Sequence, residues 1–104
     1  MPAAHNRIRL DLNNREFQEV LFRLEAVELK QAIASLRRLR ELDWTALYRH
    51  TGFHWEAIEH LKAPNGANVH SLRLSQKIRA LAFRDGEFLR FISLHPDHDS
   101  AYGR

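Results

Sequence analysis

Polar and apolar residues alternate through Arg7-Ile8-Arg9-Leu10-Asp11-Leu12. That is the period-two signature of a strand with one buried face. Asn13-Asn14 breaks the alternation, and either residue can cap a helix. Phe17, Val20, Leu21 and Leu24 follow at helical spacing, and Ala32, Ile33, Leu36 and Leu39 continue it. No Gly or Pro interrupts residues 13–51. One helix of about 30 residues is too long for so small a chain, so the pattern favours a helical hairpin breaking near residues 27–31, with no residue marking the break. Asp43 is an N-cap for a third, short helix with Trp44, Leu47 and Tyr48 on its apolar side, ended by Gly52. Trp55, Ile58 and Leu61 suggest one further helical turn or two, and Ala63-Pro64-Asn65-Gly66 reads as a loop.

The remainder reads as β. Val69–Leu74, Ile78–Arg84 and Glu87–Leu94 are short runs rich in Leu, Ile and Phe. Asp85-Gly86 is a strong two-residue hairpin signal and Ser75-Gln76 a weaker turn. An Asp85-Gly86 loop pairs Arg84 with Glu87 and sets Leu81 opposite Arg90, so that Arg79 and Arg90 share a face. The face of Arg73 depends on the Ser75-Gln76 turn, because a one-residue slip moves it to the other side. Three strands can thus each offer an arginine to one surface, with helices covering the other. The expected fold is α+β: a small, twisted, mostly antiparallel sheet with a helical hairpin packed on one face.

Composition narrows the class. At 104 residues the chain has room for one modest core, so residues 1–104 are expected to form one domain. Hydrophobic residues at 44% and charged residues at 28% are ordinary for a globular protein. There is no cysteine, which excludes disulfides and thiolate metal sites and fits a reducing compartment. The polar opening Met1-Pro2-Ala3-Ala4-His5-Asn6-Arg7 is no signal peptide. No apolar run reaches the ~18 residues of a membrane span. A soluble, cytoplasmic protein is expected, without a membrane partner.

The net charge of +3 is a weak pointer to nucleic acid, but its distribution is uneven. Residues 1–68 carry ten Lys/Arg against nine Asp/Glu, whereas Val69–Arg84 holds Arg73, Lys77, Arg79 and Arg84 and no acid. Guanidinium donors from Arg73, Arg79 and Arg90, with Lys77, suit the extra negative charge of a phosphorane-like state and can hold an RNA backbone. The same residues also suit the solvated positions of half-buried strands.

The C-terminal run His95-Pro96-Asp97-His98-Asp99-Ser100-Ala101-Tyr102 brings an imidazole and a phenol within four residues. Histidine exchanges protons near neutrality, and arginines can depress a tyrosine. A terminal turn with a core-packing tyrosine fits the same residues; His and Asp are also metal ligands, but no other cluster completes a shell, and Asp97 and Asp99 beside Pro96 suit an ordinary turn. Arg37-Arg38-Leu39-Arg40 lies on a polar helix face, solvated or set against ribosomal RNA. His50, His54 and His60 read as surface residues, and Phe17, Trp44, Tyr48, Phe53 and Trp55 as core.

Two segments carry a resemblance. Ser71-Leu72-Arg73-Leu74-Ser75-Gln76-Lys77-Ile78-Arg79-Ala80-Leu81-Ala82-Phe83 resembles the central hairpin of toxins of the RelE/ParE superfamily, and the ending at Tyr102 is similar to that superfamily's His-Asp-x-Ala-Tyr endings. Leu10–Phe17 and Asp43-Trp44 with Phe53–Glu56 also resemble RelE-like sequences, so the resemblance covers nearly the whole chain. It implies the RelE/ParE-like version of the fold above, a cognate antitoxin as partner, and, in the RelE-like branch, an mRNA endoribonuclease (mRNA interferase) working on the ribosome without metal or other cofactor.

In that reaction a ribose 2′-hydroxyl loses its proton and attacks the adjacent phosphorus, giving a 2′,3′-cyclic phosphate. By position, Arg79 matches the strand arginine expected to stabilise the phosphorane. Tyr102 and His98 match the terminal proton-handling positions, and Arg73 and Lys77 the backbone grip, with Arg90 and Arg84 as further RNA contacts. Asp97 and Asp99 depart from the pattern: they repel phosphate or fix one tautomer of His98. Two alternatives stand beside the nuclease: a ParE-like inhibitor of gyrase without catalysis, and a degenerate, non-toxic interaction domain of the same fold.

Overall fold

The computed structural model describes residues Arg7–Asp97. Their order is β1 (Arg9–Asp11), α1 (Arg15–Leu21), α2 (Ala26–Leu39), α3 (Trp44–Arg49), β2 (Glu56–Lys62), β3 (Asn68–Ser75), β4 (Ile78–Asp85) and β5 (Phe88–Pro96). The strands form one mixed sheet in the order β1-β5-β4-β3-β2. β2 to β5 make an antiparallel meander, and β1 joins β5 in parallel, pairing Leu10 with Leu89. The three helices pack on the sheet, giving the α+β architecture the alternation pattern predicts.

Local chemistry sets the helix ends. Asn14 caps α1, its Oδ1 accepting from Phe17 N at 2.9 Å, and Asp43 caps α3, accepting from Ala46 N at 2.7 Å. Phe17 and Leu21 of α1, Ala32, Leu36 and Leu39 of α2, and Trp44 and Leu47 of α3 are buried against Leu72, Leu74, Ile78, Ala80, Ala82, Leu89, Phe91 and Leu94 of the sheet. Buried positions in α2 recur at three- and four-residue steps, as an amphipathic helix requires.

Several sequence expectations are corrected. The helical hairpin breaks at Phe22–Glu25 rather than at 27–31: Phe22 closes α1, and Glu25 enters α2 with extended backbone. Ile33 is left exposed, and the buried position passes to Ser35, whose hydroxyl donates to the Leu74 carbonyl of β3. Tyr48 is exposed as well. Trp55, Ile58 and Leu61 do not lie on a helical turn. Residues 56–62 form edge strand β2, because the Ala63–Gly66 turn returns the chain antiparallel to β3 and ladder pairing overrides the local spacing.

The β4–β5 loop shifts by one residue, which moves the partners beside it by two. The loop is Gly86-Glu87, with Asp85 paired to Phe88 and Arg84 to Leu89, in place of the expected Arg84–Glu87 pair. Only Gly86 takes a positive φ (63°), the demand a type II′ turn makes of its first loop residue, so Asp85 stays in the ladder. Leu81 pairs with Ser93 and Ala82 with Phe91, leaving Ile92 as a bulge. Among the described residues, no helix is long and apolar enough to cross a membrane.

Candidate functional site

The sheet face turned away from the helices carries a row of basic side chains. Arg73 of β3 pairs with Arg79 of β4, and Arg79 pairs on its other side with His95 of β5. Residues directly opposite one another project to the same face, so these three form one line across the meander. The next line inward is Ser71, Leu81 and Ser93. Ser93 Oγ and His95 Nε2 share a hydrogen bond of 2.8 Å.

Like charges opposite each other on neighbouring strands repel. Among the described residues, neither Arg73 nor Arg79 makes a side-chain hydrogen bond or ion pair. Two guanidinium groups side by side without an ion-pair partner favour an anion beside them, and their forked donors match phosphate and carboxylate geometry alike.

A pocket of about 280 Å³ opens beside them, lined by His54, Glu56, Ser71, Leu72, Arg73 and Arg79. His54 has φ 50°, the one left-handed residue other than glycine among those described. This turn leads the chain from α3 into β2 and is pinned where Arg73 N donates to Phe53 O at 2.7 Å. Such backbone is uncommon outside glycine, though histidine tolerates it better than most. His54 and Glu56 were not singled out as site residues from the sequence, since the signal that brings them in is the long-range pairing of Glu56 with Ser71. They add an imidazole and a carboxylate, both able to carry protons, beside the two cations.

The other basic residues are distributed elsewhere. Lys77 lies in the exposed β3–β4 turn, where it lines a different pocket with Glu25, Glu28 and Gln31, and its carbonyl accepts from Asp97 N. Arg90 shares the face of Arg79 but pairs with Phe83, four residues along β4, or roughly 13 Å at strand rise. It is engaged twice, by Asp85 at 2.8 Å and Asp11 at 2.6 Å, and these carboxylates hold its pKa above the ordinary value. Arg84 projects to the helix side. Its guanidinium lies 4.7 Å from the Trp44 ring centre and donates to Tyr48 Oη at 2.8 Å. The structure therefore gathers Arg73 and Arg79, leaves Lys77 in the neighbouring turn, and separates Arg84 and Arg90 from them.

Arg37, Arg38 and Arg40 are exposed on α2 and just beyond it, with Arg38 donating to Ser35 Oγ at 3.3 Å and lying over the Phe53 ring. His98 and Tyr102 lie outside the described residues. Among the described residues, no group of three or more His, Asp or Glu side chains is arranged to hold a metal ion.

No family model matches the chain. No curated protein matches it either. Among solved structures it is similar to a copper-bound mutant toxin from Helicobacter pylori, with 18% identity and a TM-score of 0.46 over 91% of this chain and 99% of that one.

Proposed function

We propose that the open sheet face is the cleavage site of a ribosome-dependent mRNA endoribonuclease, the toxin of a type II toxin–antitoxin pair of the RelE-like branch. The observation that carries this reading is the pairing of Arg73 with Arg79, with His95 completing the row. Arg79 stabilises the charge that develops on the phosphorane oxygens, Arg73 holds the scissile phosphate, and Lys77 grips the backbone from the adjacent turn. His98 and Tyr102 are assigned the proton transfers on the motif resemblance: one removes the 2′-hydroxyl proton and the other protonates the 5′-oxygen as it leaves. His54 and Glu56, which line the same pocket, belong in any variant series that seeks the base. The ribosome supplies the positioning of the codon, and the antitoxin is the partner that covers this face.

The experiment is induced expression of wild type beside Arg79→Ala and Tyr102→Phe, with growth and mRNA ends followed together. The nuclease reading expects growth arrest with cuts inside codons, both lost in the variants. Arrest with intact mRNA and DNA-damage signalling would transfer the chain to the gyrase-inhibiting branch. Normal growth with intact mRNA would mark it as a non-toxic relative of the fold.

A further inference from the structure

A second surface, at the opposite end of β4 and on the helix side of the sheet, combines flat rings with cations. Trp55 stacks on His70 with ring centres 4.1 Å apart and planes 6° from parallel. Trp44 meets Trp55 edge-on at 5.5 Å and Tyr48 at 5.9 Å. Arg84 lies over Trp44 and donates to the Tyr48 hydroxyl. At the other end, Lys62 donates to Asn68 Oδ1, and the carbonyl of Asn68 hydrogen-bonds His70 Nδ1 at 3.2 Å. The band thus runs Lys62, His70, Trp55, Trp44, Tyr48, with Arg84 across its far end.

A packing cluster accounts for only part of this. Trp44 is buried and Trp55 packs partly against the core, but Tyr48 is 52% exposed, Lys62 and Arg84 are exposed, and His70 is half-buried. Burial favours the uncharged imidazole of His70, which keeps that ring a neutral stacking surface near pH 7. Rings interleaved with cations are the chemistry by which proteins hold single-stranded nucleic acid: bases stack on rings and the backbone follows the cations. Tyr, Trp and Arg also anchor protein interfaces, but a cation at each end of the ring row, Lys62 and Arg84, favours a polyanion.

We infer that this band binds single-stranded RNA, with bases stacking on the Tyr48 and His70 ends and phosphates met by Arg84 and Lys62. The band is separate from the Arg73–Arg79 row and does not depend on that row cleaving anything. Its role is to hold a strand, not to react with it.

The chain's two tryptophans, Trp44 and Trp55, both lie in the band, so intrinsic fluorescence reads it directly. The test titrates the full chain with a mixed-sequence, 12-nucleotide single-stranded RNA. A 12-base-pair RNA duplex is the control. Wild type, Tyr48→Ala, Arg84→Gln and Arg79→Ala are compared, with folding of each checked by circular dichroism. The expected result is saturable quenching by the single strand, weakened about fivefold or more in Tyr48→Ala and Arg84→Gln and unchanged in Arg79→Ala. The inference is overturned by absence of quenching, by equal quenching with the duplex, or by loss in Arg79→Ala alone. It is equally overturned if RNA leaves the emission unchanged while a protein partner shields these rings. If quenching persists while induced wild type leaves mRNA intact, the cleavage reading fails and this one stands.

Discussion

Arg73 and Arg79 stand directly opposite each other on β3 and β4, with no acid bound to either among the described residues. A pair of this kind opposes folding in the free protein, and a bound anion relieves it. Replacing Arg73 by Gln is therefore expected to raise stability by a few tenths to about 1 kcal/mol, which is a shift of a few degrees in Tm for a chain of this size. Inorganic phosphate is expected to raise the Tm of wild type more than that of the variant, because a ligand of the folded state stabilises it by mass action. Thermal melts with and without phosphate check both statements. A variant less stable than wild type, or equally sensitive to phosphate, contradicts them.

Asp11 joins β1 to the rest of the sheet through Arg90. Its carboxyl is held below the ordinary value of 3.8, first by the backbone N–H of Asn13 and then by Arg90, with burial acting the other way. A depressed carboxylate stabilises the fold above its unfolded value, and that contribution disappears as pH falls through the folded value. Asp11→Asn is expected to cost about 1–2 kcal/mol at pH 7, and little once the medium is acid enough to protonate the wild-type side chain. Urea melts of the two proteins at pH 7 and at successive pH values below 3.8 test this: the gap between their midpoints narrows as the pH falls.

His70 gives a second pH dependence, in a different window. Burial lowers its pKa from 6.5, partly offset by the Asn68 carbonyl. The unfolded chain then takes up a proton at a pH where the folded chain does not. The stabilising effect is complete above about 6.5 and declines as pH falls toward the depressed folded value. Wild type is expected to lose stability between pH 7.5 and 5.5, and His70→Gln to lose less over the same range. Denaturation midpoints at the two pH values decide it: parallel losses would remove His70 from the account.

Ser35 fastens α2 to β3, the strand that carries Arg73, by donating from a buried hydroxyl to the Leu74 carbonyl. Ser35→Ala leaves that acceptor without its side-chain donor, and a loss of about 1–2 kcal/mol is expected. Equilibrium denaturation measures the loss directly. An unchanged midpoint would mean that the helix is held by apolar contacts alone.

The parts of the fold that were legible in the sequence rest on local chemistry. Asn14 and Asp43 are caps because their side chains reach backbone donors three residues on, and the alternation from Arg7 to Leu12 marks β1 without reference to the rest of the chain. What escaped depends on partners far away in sequence. β2 reads as helical turns from the spacing of Trp55, Ile58 and Leu61, and only pairing with β3 makes it a strand. The hairpin break at Phe22–Glu25 has no Gly or Pro to mark it, so the local sequence carries no signal of where α1 ends and α2 begins.

The site shows the same division. Arg79 and Arg90 fall on one face because the partner of Arg90 moves by two residues along β4, from the expected Leu81 to Phe83, which preserves its side. The engagement of Arg90 by Asp11 and Asp85, the turn of Arg84 onto Trp44, and the arrival of His54 beside Arg79 all require the assembled sheet.

The central claim is that Arg79 acts on a phosphate undergoing 2′-hydroxyl attack. Purified chain mixed with ribosomes stalled on a defined mRNA tests it most directly, with the ends of the fragments analysed chemically. The account predicts cleavage within the A-site codon that leaves a 2′,3′-cyclic phosphate, with a rate at least about a hundredfold lower for Arg79→Ala. An Arg79→Ala protein that cuts at the wild-type rate, or fragments that carry a 3′-hydroxyl, would contradict it.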